Sequence, residues 1–204
     1  MQLADAAVRV LERDGLVALT FRNVAAEAGV SPGRVQHYLQ NSKGLATITF
    51  RRVQEMVAEG VRQALEDGSA SSSREVVAAT LSALLPITEQ QRSMLRVAYV
   101  VEQYALTDPE LSEELRKGRV GLVDFLAQQL VMIDAAQGRP GHEDSPDGSS
   151  SSAFDAARRA AITLLATADG LSSLILTGTI SGEEARDLLA ESIDLVLAPA
   201  PDLS

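Results

Sequence analysis

Cysteine and tryptophan are absent from this chain of 204 residues, and aromatic side chains make up only 3% of it. Without cysteine there is no disulfide, no thiolate metal site and no cysteine nucleophile, and nothing argues against a cytoplasmic setting. There are two histidines, His37 and His142, in unrelated regions, and no glycine-rich phosphate loop. A nucleophile, a base and a polarising group are therefore not assembled anywhere in the pattern, and neither enzymatic activity nor a cofactor is expected. The paired carboxylates Glu113-Glu114 and Glu183-Glu184 fall at helix starts or on exposed faces, where acids suit the helix dipole or solvent. His142 stands beside Glu143 and Asp144 in the stretch 137–152, QGRPGHEDSPDGSSSS, whose glycine, proline, serine and acids read as an exposed flexible loop. Neighbouring residues of a mobile loop do not converge on a metal, so no metal site is expected.

Long uncharged runs are also scarce, with one exception. From Ala160 to Ile180 only Asp169 is charged, which raises the question of a membrane span. A central aspartate costs roughly 2.5–3.5 kcal/mol on insertion scales, and Thr, Ser and Gly are frequent through the run. Burial on two fronts, against its own domain and a second subunit, explains such a helix without a membrane. No signal peptide is expected either, because Asp5, Arg9 and Glu12 build an amphipathic pattern at the start of the chain.

What the chain has is alanine, leucine and valine at helical spacing with no alternating strand pattern, so an all-α protein is expected. Its net charge of −10 is unevenly spread. Residues 1–52 hold seven basic and four acidic side chains, a net of +3, and the remainder carries −13. A phosphate-contacting module on an acidic body has this asymmetry.

The segment from Thr20 to Lys43, TFRNVAAEAGVSPGRVQHYLQNSK, encodes two short helices joined by a tight turn. Thr20 is placed to cap the first helix, and Phe21, Val24, Ala25 and Ala28 recur at i, i+3, i+4, i+7 on one face. Gly29 falls where the chain must turn, and Ser31-Pro32 is a helix start signal, so the second helix runs from Pro32 to about Leu39. In it Val35 and Leu39 face inward while Gly33, Arg34, Gln36, His37 and Tyr38 project outward. Arg and Gln form bidentate hydrogen bonds to guanine and adenine edges, and Tyr, Ser and His suit phosphate oxygens. The expectation is a helix-turn-helix in which Arg34 and Gln36 read bases and Thr20, Ser31, His37, Tyr38 and Lys43 hold the DNA backbone. Arg22, Pro32 and Gly33 complete the DNA-facing set.

The run Gly-Leu-x-x-Leu-Thr-x-Arg-x-Val-Ala-x-Glu-Ala-Gly-Val-Ser-x-Gly-x-Val-Gln-His-Tyr from Gly15 to Tyr38 resembles the TetR-type transcriptional regulators, whose first three helices look like Leu3 to Asp14, Phe21 to Ala28 and Pro32 to Leu39. The resemblance implies a three-helix DNA-binding domain over 1–44 and a larger helical effector-binding and dimerisation domain over 45–204. The family's fourth helix opens on an aromatic followed by x-Ser-Lys and an acid, the lysine touching phosphate. An ungapped reading here puts Ser42 on the lysine position and Lys43 on the acid, keeping Leu45 on its apolar position. The chain begins two residues before Leu3, so contacts from a basic arm ahead of the first helix are not expected. These two departures are the best arguments for the alternative, a relative that kept the fold as a ligand-binding or protein-interaction module without binding DNA.

Beyond the module, Leu45 to Leu65 mark a long fourth helix ending near Asp67-Gly68, and a serine-rich loop runs to Ser73. Val77 to Leu85 form the next pattern until Pro86; Thr88 with Gln91 makes a capping box, and Asp108-Pro109 starts a further helix. Tyr104 closes the stripe of Met94, Val97 and Val101, and Gln129 interrupts the apolar stripe of Leu122, Phe125, Leu126, Met132 and Ile133. An apolar lining with few polar groups is what a pocket needs, so Met94, Val97, Val101, Tyr104, Phe125, Gln129 and Met132 are the candidate ligand residues. In the family a small molecule bound in this domain acts on the DNA modules by moving the fourth helix. The last helices, about 153–179 and 183–197, the second opened by Ser181 with Glu184, pair with a second subunit in the family. The resemblance therefore implies a homodimer on a palindromic operator, acting as a repressor released by an effector.

Overall fold

Capping chemistry sets where the helices of this computed structural model begin and end, and the description covers residues 2–39, 42–66, 71–137 and 150–198. Among them are nine α-helices and no strand: α1 Gln2–Asp14, α2 Phe21–Ala28, α3 Pro32–Leu39, α4 Ser42–Glu66, α5 Ser73–Ser82, α6 Glu89–Ala105, α7 Pro109–Ala136, α8 Ser150–Leu176 and α9 Gly182–Leu197. The box at Thr88 is present, its hydroxyl taking the Gln91 N–H at 3.2 Å while the Gln91 side chain takes the Thr88 N–H at 2.8 Å. At Ser181 the hydroxyl accepts the Glu184 N–H at 3.0 Å. Ser72 and Glu75 form another box inside the serine run read as loop. Asp108 caps α7, one carboxylate oxygen accepting from the Glu110 and Leu111 N–H groups at 3.0 and 3.3 Å. The first turn of α8 reaches back to Ser150, three residues into the expected loop, and 138–149, with His142, lie outside the described residues.

The chain divides into two compact units, 1–59 with 88–117 and 60–87 with 118–204. In the first, α1 is buried on two faces. Ala6, Ala7 and Val10 pack with Val24 and Ala25 of α2, Val35 and Leu39 of α3 and Leu45 of α4. Val8 and Leu11 join Phe50 and Val53 of α4, Val97, Ala98, Val101 and Ala105 of α6 and Leu111 of α7. Burying a side chain of this size is worth about 1.5–3 kcal/mol, so α1 is what fixes the helix-turn-helix to its support.

The second unit gathers Val77 and Leu81 of α5, Leu126, Leu130 and Ile133 of α7, Leu164, Ala168 and Leu171 of α8, and Ala185, Leu189 and Ile193 of α9. The Ser172 hydroxyl donates to the Leu84 carbonyl at 3.2 Å, fastening α8 to the turn after α5. From Ala153 to Leu176, α8 is long and apolar enough to cross a membrane. Its residues Ala157, Ala161, Leu164, Ala168, Leu171 and Ile175 repeat alternately by four and three, and all are buried in this core. Asp169, on its flank, pairs with Arg119 at 2.7 Å. One stripe of α8 is thus spent on packing within the unit, while Ile162 and Leu174 of the same helix stay exposed.

Candidate nucleic-acid interface

The helix-turn-helix is built by hydrogen bonds close in sequence. The Thr20 hydroxyl accepts the Asn23 N–H at 3.2 Å, and the Asn23 amide donates to the Ala18 carbonyl at 2.9 Å, fixing the entry to α2. At the exit Gly29 is left-handed, with φ 67° and ψ 30°. Its N–H reaches the Ala26 carbonyl at 3.2 Å and the Val30 N–H reaches Ala25 at 2.9 Å, a Schellman closure that satisfies the last carbonyls of α2. Ser31 then caps α3 by accepting the Arg34 N–H at 3.3 Å, with Pro32 at the first helical position.

The split of α3 into two faces is as expected from its sequence. Val35 and Leu39 are buried, while Gly33, Arg34, Gln36, His37 and Tyr38 are exposed, Tyr38 to 77%. Thr20, Arg22, Ser31 and Pro32 are exposed as well.

The ion pairs commit most of the module's cations. Glu27 receives Arg9 at 2.7 Å and Arg13 at 2.9 Å, and Arg13 also meets Asp14 at 2.8 Å. These guanidiniums hold the Glu27 carboxyl below its ordinary range, Arg9 contributing most. Arg52 pairs with Asp5 at 2.5 Å, Arg51 with Glu114 at 2.5 Å, and Lys43 with Asp108 at 2.7 Å. Of the seven cations in residues 1–52, only the side chains of Arg22 and Arg34 have no ion-pair or hydrogen-bond partner among the described residues. Two of the module's cations are thus answered by acids outside residues 1–52, and the two uncommitted guanidiniums are those of the exposed helix-turn-helix surface.

Beside α3 lies an open groove of about 350 Å³, lined by Tyr38, Leu39, Lys43, Gly44, Thr47, Ile48 and Arg51. Lys43, Thr47 and Arg51 recur every four residues and line it from one stripe of α4. Thr47 and Arg51 were not among the residues expected at the interface, although the period of 3.6 from Lys43 marks them.

The ligand candidates are divided between the two units. Met94, Val97, Val101 and Tyr104 share the α1–α4–α6 cluster of the first unit, whereas Phe125 packs in the core of the second. Gln129 is half-buried. Met132 corrects the expected stripe: it is 57% exposed, its sulfur accepting from the Ser73 hydroxyl at 3.7 Å. Leu126, Leu130 and Ile133 carry the buried face instead, at i, i+4, i+7, and one residue before Ile133 is rotated about 100° out of it. Among the described residues no group of His, Cys, Asp and Glu is placed to hold a metal ion.

The model of the family described as bacterial regulatory proteins, tetR family, matches residues 3–46. Over 205 aligned residues the chain is 29% identical to the HTH-type transcriptional regulator BetI of Paraburkholderia phytofirmans, covering 97% of this chain and 92% of that protein. Its fold is similar to a crystal structure of a transcriptional regulator from Rhodococcus sp., with a TM-score of 0.75 and 25% identity over 96% of this chain and 94% of that one. It is also similar to the multidrug binding protein EbrR complexed with ethidium, with a TM-score of 0.56 and 25% identity over 94% of this chain and 95% of that one.

Proposed function

We propose that this chain, similar to the tetR family of bacterial regulatory proteins over residues 3–46 and to a BetI regulator along nearly its whole length, is a ligand-responsive repressor that binds a palindromic operator as a homodimer in the cytoplasm. The observation that carries DNA reading is the exposed face of α3, with Arg34 unpaired above a buried Val35 and Leu39. Arg34 and Gln36 are assigned to base edges, and Thr20, Arg22, Ser31, His37 and Tyr38, with the backbone at Pro32 and Gly33, to the phosphates. Residues 1–44 act as the DNA-binding domain and 45–204 as the effector and dimerisation domain.

The second-subunit contact is assigned to the outer faces of α8 and α9. On α8 the exposed Ile162, Ala166, Gly170, Ser173 and Leu174 follow one another at helical spacing, and a Cβ added at Gly170 would meet nothing within 4 Å. On α9, Leu188 and Leu195 are exposed, Leu195 to 76%. An apolar face with small residues at its centre suits close approach of a second helix pair. Two recognition helices related by a two-fold axis then enter successive major grooves about 34–36 Å apart. Because EbrR is complexed with ethidium, a small organic molecule is the effector class proposed for this chain too.

Selection of bound fragments from a bacterial genomic library tests the proposal. Recovery of fragments sharing a palindrome is expected. Recovery of unrelated fragments would contradict the palindromic operator, and recovery of none at low salt would favour the non-DNA-binding alternative.

A further inference from the structure

The acids of the α6–α7 corner occupy the cations of the groove beside α3. Lys43 Nζ lies 2.7 Å from Asp108 Oδ2, and Arg51 lies 2.5 Å from Glu114 and 3.7 Å from Glu110. The two ends of the lysine pair differ: the Asp108 side chain is only 12% exposed and Lys43 is 54% exposed. Asp108 is also anchored, its other oxygen accepting two N–H groups of α7. The carboxylate is therefore fixed by the fold, and the ammonium is the partner able to swing away. Lys43 lines the groove together with Tyr38, and its ammonium is paired with Asp108 at the start of α7.

We infer that Asp108 is a positioning residue for DNA binding, a built-in counter-anion that withholds Lys43 from the phosphate backbone and so sets the affinity of the module below what its cations allow. The inference rests on the DNA-binding reading above. A lysine that neutralises a phosphate releases about 0.9 of a counterion, so it adds about 0.9 to the slope of log affinity against log salt. A lysine held by a carboxylate neutralises no phosphate and adds none. Asp108→Asn separates the two duties of this residue: asparagine caps a helix as well as aspartate, but holds no charge against Lys43.

The test compares the full-length wild type, Asp108→Asn, Lys43→Ala and the double variant by fluorescence anisotropy on a random-sequence duplex of about 30 base pairs, over about 0.05–0.3 M salt. Thermal melts confirm that each variant is folded. Asp108→Asn is expected to steepen the salt slope by about 0.9 for each subunit on the duplex, and to raise affinity by up to about eightfold per subunit at 0.1 M relative to 1 M salt. Lys43→Ala alone is expected to leave the slope unchanged, and in the double variant the gain disappears. An unchanged slope in Asp108→Asn, or a gain that survives without Lys43, overturns the inference while leaving DNA binding intact. So does a slope lowered by about 0.9 in Lys43→Ala, because Lys43 would then already contact phosphate. If none of the four proteins binds the duplex at the lowest salt, the inference and the DNA-binding reading fall together.

Discussion

The first turn of α4 passes so close to the end of α3 that a Cβ added to Gly44 would collide with the carbonyl oxygen of Leu39. The clash is with backbone, so no side-chain rotation relieves it. Gly44→Ala is expected to push α3 and α4 apart at a cost of about 1–3 kcal/mol, the range for overpacking, and to weaken DNA binding by displacing the recognition helix. Gly29→Ala has a different origin for its cost. Nothing crowds the Cβ there, but φ of 67° is left-handed, and the expected loss is about 1–2 kcal/mol. Denaturant unfolding measures both; equal stability of Gly44→Ala and wild type would contradict the close approach.

The acid side of the stability profile follows from the ion pairs. Glu27 is held low by Arg9 and then Arg13, Asp108 by Lys43, and Glu114 by Arg51, from ordinary values of 4.5, 3.8 and 4.5. A carboxyl whose folded pKa is depressed contributes stability that is complete above its unfolded pKa and is lost as the pH falls through the folded value. Stability is therefore expected to hold from neutral pH down to about 5 and to fall progressively below about 4.5. Glu27→Gln should flatten part of that fall. Denaturant midpoints measured against pH check this, and a protein that became more stable on acidification would contradict it.

For the proposed dimer, an acidic residue placed on the outer face of the last two helices is the sharpest perturbation. Leu174 and Leu188 are exposed, and neither is needed for the core of its own unit. Leu174→Asp with Leu188→Asp is expected to raise the dimer dissociation constant by about 30-fold or more, the scale of a central interface residue, with little change in helix content. Sedimentation velocity reports the shift to monomer. A wild type that sediments as a monomer at all concentrations would contradict the assigned interface.

Features set by neighbours within a few residues were legible in the sequence. The Thr88–Gln91 box, the Gly29 turn and the inward pair Val35 and Leu39 depend on capping geometry and the helical period, and the structure has them all. The Ser72–Glu75 box is equally local, but three consecutive serines at 71–73 give no single candidate for the cap, and the run reads as loop. What the sequence could not show is pairing at long range. Lys43 meets Asp108, and Arg51 meets Glu114, across 65 and 63 positions. The charge sum over residues 1–52 counts these cations as free because their acids lie outside it. Met132 shares the chemistry of the α7 stripe but not its spacing, since Leu126, Leu130 and Ile133 follow i, i+4, i+7 and Met132 falls outside that row.

In the proposed function Arg34 on the exposed face of α3 reads a base and Arg22 of α2 holds the DNA backbone. Enrichment of a fully randomised duplex pool by wild type, Arg34→Ala and Arg22→Ala measures this most directly. Wild type should yield a palindrome. Arg34→Ala should yield the same palindrome with preference relaxed at one base pair of each half-site, a loss of about 1–3 kcal/mol per bidentate contact. Arg22→Ala should keep the full preference, bind all sequences more weakly and lower the salt slope by about 1 per half-site. An Arg34→Ala profile identical to that of wild type would contradict the base-reading assignment.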